Sequence, residues 1–99
     1  MAYQMLSMQD YEAQRVLRIG AHQEALRLFT ELARQADAIP GERVEFLIRA
    51  AIGKLEALRM MNKSDSAAID LLRAWLQNRA DQPPAIVGNI SRRFDAVTH

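Results

Sequence analysis

The sequence predicts an all-α fold of about five helices: two antiparallel helical hairpins and a short carboxyl-terminal helix, packed around a long central helix. Three observations predict it. Apolar residues recur at intervals of three and four over most of the chain, the spacing of one helix face. No segment alternates apolar and polar residues as a half-buried strand would. Breakers and capping residues punctuate the pattern at Gly20, Pro40-Gly41, Asn62 to Asp65 and Pro83-Pro84. A chain of 99 residues makes one domain.

Residues 1–6 carry little patterning and are expected to fray. Ser7 reads as an N-cap, with Asp10 three residues on completing an approximate capping box. The first helix then spans about 8–18, with Tyr11, Val16 and Leu17 as its larger apolar groups and Ala13 small between them. Gly20 is the residue type that ends helices in a left-handed conformation. The second helix spans about 21–37. Ala25, Leu28, Phe29, Leu32 and Ala36 form its inner face, while Glu24, Arg27, Glu31, Arg34 and Gln35 face water. Pro40 and Gly41 break it.

The central helix, about 42–61, organises the rest. Val44, Leu47, Ile48, Ala51, Leu55 and Leu58 follow helical spacing, and Phe46, Ala50, Ile52 and Ala57 widen the apolar arc. Glu42, Glu45, Arg49, Glu56 and Arg59 collapse onto one narrow stripe, so the helix must be covered on more than one side. Glu45 and Arg49 stand four apart in the favourable order. Gly53 costs about 1 kcal/mol relative to Ala in mid-helix; either a neighbour crosses closely there or the glycine is neutral. Ser64 or Asp65 caps a fourth helix, about 66–79, whose inner face carries Ile69, Leu72, Trp75 and Leu76, with Leu71 on a flank. Trp75 is expected to be mostly buried against the central helix. Proline suits a first helical turn, so a short fifth helix follows at about 84–96, with Ile86, Ile90, Phe94 and Val97 on one stripe.

The chain carries a faint copy of itself. EALRLFTELA at 24–33 matches AAIDLLRAWL at 67–76 with an offset of 68 − 25 = 43, and 12–17 matches 56–61 with an offset of 57 − 13 = 44. That register makes the second turn one residue shorter. The first hairpin, YEAQRVLRIGAHQEALRLFTELA, resembles a tetratricopeptide repeat: Ala13 is the small residue at the helix crossing, Gly20 stands at the turn, and Ala25 and Phe29 follow in register. In the second hairpin Ala68 and Leu72 fit, Lys63 stands where the turn glycine would be, and neither copy has the closing proline. The resemblance implies a helical-hairpin module that binds peptides or proteins. A looser likeness is to the small helical chaperones of bacterial flagellar and type III export, which are similar in size and charge balance; the Tyr3-Gln4 pair is similar to flagellin chaperones.

Composition narrows the function. A net charge near +1 argues against a nucleic-acid or membrane binder driven by bulk charge. The absence of cysteine removes disulfides, thiol catalysis and cysteine-ligated zinc. His22 and His99 have no partner at metal-ligand spacing, so no metal is expected. Ser7, Ser64 and Asp65 read as caps, the glycines are too dispersed for a phosphate loop, and Glu42 and Glu45 suit a helix amino terminus. No catalytic residue and no cofactor is expected. Arg92-Arg93, with Arg79 nearby, would complement a helix carboxyl terminus, or meet phosphate or an acidic peptide. Neither a secretory signal nor a membrane-length apolar run is visible, so the cytoplasm is the expected location.

The expected function is therefore non-enzymatic: a protein–protein interaction module, adaptor or small export-type chaperone that takes a partner helix or peptide. Met8, Tyr11, Met60 and Met61 are the candidate contact residues, since thioethers suit surfaces that accept varied partners; the plainer reading of Met60 and Met61 is core filling. The alternative is a structural, self-associating domain whose homodimer covers surplus apolar surface. Third comes a DNA-binding regulator with a helix-turn-helix around Gly20.

Overall fold

Five helices form among the described residues of the computed structural model, which are 2–39, 43–78 and 84–98. They are α1 (Ala2–Arg18), α2 (His22–Asp37), α3 (Arg43–Met60), α4 (Ser66–Gln77) and α5 (Pro84–Thr98). Met1, residues 40–42, residues 79–83 and His99 lie outside the described residues.

Local chemistry sets the ends. Gly20 closes α1 in the left-handed region at φ +90°. Ala21 N–H donates to the Val16 carbonyl at 3.2 Å and Gly20 N–H to that of Leu17 at 3.1 Å, which caps two otherwise orphaned carbonyls. Asn62, at φ 60°, closes α3 in the same way. Lys63 N–H donates to Leu58 at 2.8 Å and Asn62 N–H to Arg59 at 2.9 Å. Asparagine tolerates this conformation better than other non-glycine residues, so the second hairpin needs no glycine at Lys63. Asp65 caps α4, its Oδ1 accepting from the N–H groups of Ala67 at 3.0 Å and Ala68 at 3.2 Å. The connector between α3 and α4, 61–65, is longer than that between α1 and α2, 19–21, and not one residue shorter as the internal register predicts.

The first helix begins earlier than expected, with residues 2–6 forming the first turns of α1. Ser7 is an exposed mid-helix residue, not a cap. Leu6, Asp10, Ala13 and Val16 recur at three and four and are all buried, so the inner face begins at Leu6, two residues before Met8. The Tyr3 ring meets Phe46 edge-on at 5.2 Å between centroids, which pins the first turn to α3.

The helices alternate in direction and form two layers. α1, α3 and α5 make one layer with α3 in the middle; α2 sits behind α1 and α3, and α4 behind α3 and α5. α3 packs against all four other helices, while among the described residues the backbones of α1 and α2 do not pack against those of α4 and α5. Two cores result. Leu6, Ala13, Ala25, Phe29 and Leu32 meet Phe46, Ala50 and Ala57 on one side of α3. Ile48, Ala51, Ile52 and Leu55 meet Ala68, Leu72, Ile90 and Phe94 on the other. The wide apolar arc is thus covered twice, as its breadth predicts.

Details of the arc shift. Phe46 is core, and Val44, in the first turn of α3, is half exposed. Leu28 and Trp75 are half-buried at the edges of the two cores. Gln35 does not face water freely: its Oε1 accepts from Gln9 Nε2 at 2.6 Å, which ties α2 to α1. α5, Pro84–Thr98, runs two residues beyond the expected end at 96.

Gly53 marks the α2–α3 crossing. A Cβ added there would lie inside the van der Waals envelope of Phe29 Cε1 and Cζ, and that ring is fully buried. Overpacking costs about 1–3 kcal/mol, against a gain of about 1 kcal/mol in helix propensity. Gly53→Ala therefore destabilises the protein, by about 1–2 kcal/mol in urea unfolding, and in a Phe29→Leu background the same substitution becomes neutral or stabilising. Leu6→Ala lowers stability by about 2–5 kcal/mol, the cost of a core cavity; a cost near zero in the same unfolding experiment would mean that the first turns of α1 are not docked.

Candidate partner-binding groove

The polar stripe of α3 does not face open solvent. Glu45, Arg49, Glu56 and Arg59 recur at four, seven and three residues, and α1 and α5 rise on either side of them. The result is an open groove of about 550 Å³ with Arg49 and Glu56 in its floor. Gln14, Leu17 and Arg18 of α1 form one wall; Ile86, Asn89, Ile90 and Arg93 of α5 form the other. On the opposite layer a smaller hollow of about 210 Å³ lies between α2 and α4, lined mainly by alanines with Leu47 and Leu71.

The two walls are held by different chemistry. On the α5 side the bonds are satisfied. Arg93 donates to Glu56 through both Nε, at 3.0 Å, and Nη2, at 2.5 Å, a bidentate fork between largely buried partners. Arg59 Nη1 donates to the Val97 carbonyl at 3.1 Å, in the last turn of α5, where a cation is favoured.

The α1 side is looser. Asp10, its side chain only 6% exposed, accepts from Gln14 Nε2 at 3.0 Å and from Arg49 Nη1 at 3.4 Å. Glu45 lies 3.7 Å from Arg49 Nη2. The Arg49 guanidinium stands over the Phe46 ring at 5.9 Å. Among the described residues Asp10 Oδ1, Glu45 Oε2 and Arg49 Nε, all buried atoms, have no hydrogen-bond partner. Arg49 is 33% exposed toward the groove and holds only long contacts behind it.

The four sequence-chosen contact residues do not form one surface. Met8 and Tyr11, 72% and 65% exposed, lie on the outward face of α1, away from the groove. Met60, 64% exposed, sits at the far end of the groove with Leu17, Ala96 and Val97. Met61 is half-buried in the turn after α3. Met60 is not core filler. The arginine pair near the carboxyl end divides: Arg93 turns inward to Glu56, Arg92 is exposed, and Arg59 takes the role of complementing the end of α5.

Gln14, Arg18 and Asn89 were invisible in the sequence as site residues, because nothing local marks them. The usable signal was the charged stripe of α3, which needs neighbours to become a floor. α2 offers no uncompensated cationic face: Arg27 pairs with Glu24 and Arg34 with Glu31. Hydrogen bonds from Arg34 and then Gln35 hold the Glu31 carboxyl down to about 2. His22 is half-buried in the first turn of α2. Among the described residues no cluster of three or more histidine or acidic side chains is arranged to hold a metal, and no helix is long and apolar enough to cross a membrane.

No protein-family model, no curated protein and no solved structure matches the chain.

Asp65 bounds the α2/α4 hollow and carries a pH dependence. Lys54 Nζ, 3.1 Å away, and the two capped amides stabilise its carboxylate and lower its pKa. A lowered folded-state pKa gives stability that is complete above the unfolded value, about 4, and is lost as pH falls through the folded value. Asp65→Ala costs about 0.5–2 kcal/mol at pH near 7, the value of a helix cap. The gap between variant and parent closes as urea unfolding is repeated below pH ~4.

Proposed function

We propose that this protein is a non-enzymatic interaction module, an adaptor or small chaperone, that receives a helix or peptide of a partner protein in the α1/α3/α5 groove. One observation carries this reading: the groove combines half-buried apolar side chains on both walls, Leu17 and Ile86, with polar and charged groups in its floor and walls. That mixture suits a partner helix, whose apolar positions find pockets while its polar positions find partners. The helical-hairpin resemblance of 11–33 points the same way, and the bacterial, cytoplasmic setting belongs to this proposal.

A second reading has its own support. Met5, Met8 and Tyr11 on the outer side of α1, and Ile19 just after it, are exposed apolar side chains among polar ones, and a second copy covering that side would give a homodimer.

Site-specific photocrosslinking separates the two. A photoreactive side chain at Asn89 or Met60 captures a heterologous partner in the source cells, and one at Gln23, on α2, does not. Capture confined to Met8 and Tyr11, with a product of twice the chain mass, would reject the groove in favour of self-association.

A further inference from the structure

We infer that the occupant of the groove is an acidic amphipathic segment, whose carboxylates meet Arg49 and Arg18 while its apolar side chains lie on Leu17 and Ile86. This rests on the groove reading above and adds the charge of the guest.

The inference comes from how the charges are disposed. Glu56 is the one acid lining the groove among the described residues, and Arg93 already occupies both its oxygens. Arg49 is in the opposite condition. Its contacts to Asp10 and Glu45 are long, its Nε has no partner, and its acids lie behind it, away from the groove. Arg18, exposed on the same wall, makes no ion pair among the described residues. The α1 side of the groove therefore presents two cations, Arg18 exposed and Arg49 a third exposed with only long contacts, and the α5 side presents Ile86 beside a satisfied ion pair.

A guanidinium with free donors binds a carboxylate as a planar fork, and such charge-assisted bonds are about twice as strong as neutral ones. Burying that pair under a guest costs desolvation, but Arg49 is already two-thirds buried and poorly bonded, so less hydration is lost on its side. A basic guest would set like charges against Arg49 and Arg18. A nucleic acid would offer phosphates to the same cations, yet no aromatic side chain lines the groove for base stacking.

The test is selection from a displayed random-peptide library on the full chain at physiological salt. Enriched sequences should place Asp or Glu beside Leu, Ile, Val or Met at three- or four-residue spacing. A synthetic representative should shift the amide resonances of Leu17, Ile86 and Asn89 and weaken as salt rises. It should lose about tenfold in affinity on Arg18→Gln or Arg49→Gln, and nothing on Arg34→Gln. Arg18 is exposed, so its variant keeps the test sound even where Arg49→Gln disturbs the buried Asp10. Neutral or basic sequences seated in the groove would overturn the charge assignment and leave the groove reading standing. No enrichment, or binders that shift only the outer face of α1 or the α2/α4 hollow, would overturn both. Displacement of the peptide by a single-stranded oligonucleotide at equal concentration would reassign the cations to phosphate.

Discussion

The constraint on which the fold depends is that α3 is apolar on two faces at once. Among the described residues the backbones of α1 and α2 do not pack against those of α4 and α5, so each half is held chiefly through its own face of α3. Neither half can complete its core without that helix, because an amphipathic hairpin alone leaves its inner face in water. The two faces are also different in size. Toward α2 stand Ala50, Ala57 and Gly53, with Phe29 filling the space above the glycine. Toward α4 and α5 stand Ile48, Ile52 and Leu55. Small residues allow close approach, so α2 and α3 share the most extensive interface of the molecule, while branched residues hold α4 and α5 at ordinary packing distance.

Most of this was legible in the sequence. Helical periodicity located the elements, Gly20 located the first turn, and the Ser64-Asp65 pair located the start of α4, with Asp65 proving to be the cap. The breadth of the apolar arc of α3 predicted cover on several sides, and Gly53 offered a close crossing as one of its two explanations. The misreadings have physical causes. Ser7 and Asp10 have the spacing of a capping box, but Asp10 lies on the same face as Leu6 and Ala13, and burial of Leu6 extends the helix past the supposed cap. Asn62 was overlooked because glycine is the usual left-handed residue, and an asparagine in a polar run looks like any loop residue. The exposed methionines drew attention by type, though type does not say which surface a side chain joins.

The groove was half legible. Its floor is the charged stripe of α3, visible as a stripe and silent about what lies over it. Its walls depend on pairings such as Glu56 with Arg93, 37 positions apart, and no local pattern encodes a partner at that distance. Arg93 sat in the sequence as one of two adjacent arginines, and only the docking of α5 along α3 decides which of them turns inward.

The groove stays open for the same reason that α3 can serve two cores. A helix has a limited circumference; two apolar faces leave one sector, and in α3 that sector carries Glu45, Arg49, Glu56 and Arg59. For α1 and α5 to close over it, these charges would have to leave water, at several kcal/mol per unpaired ion. The observed compromise pairs some of them at the margins. Arg93 neutralises Glu56 and Asp10 meets Arg49, so each flanking helix is fixed to the edge of the stripe and goes no further. Apolar contact with the two cores draws α1 and α5 inward, and charge along the third sector of α3 stops them short. The width of the groove is set by that balance, and Arg49, a third exposed, stands in its floor.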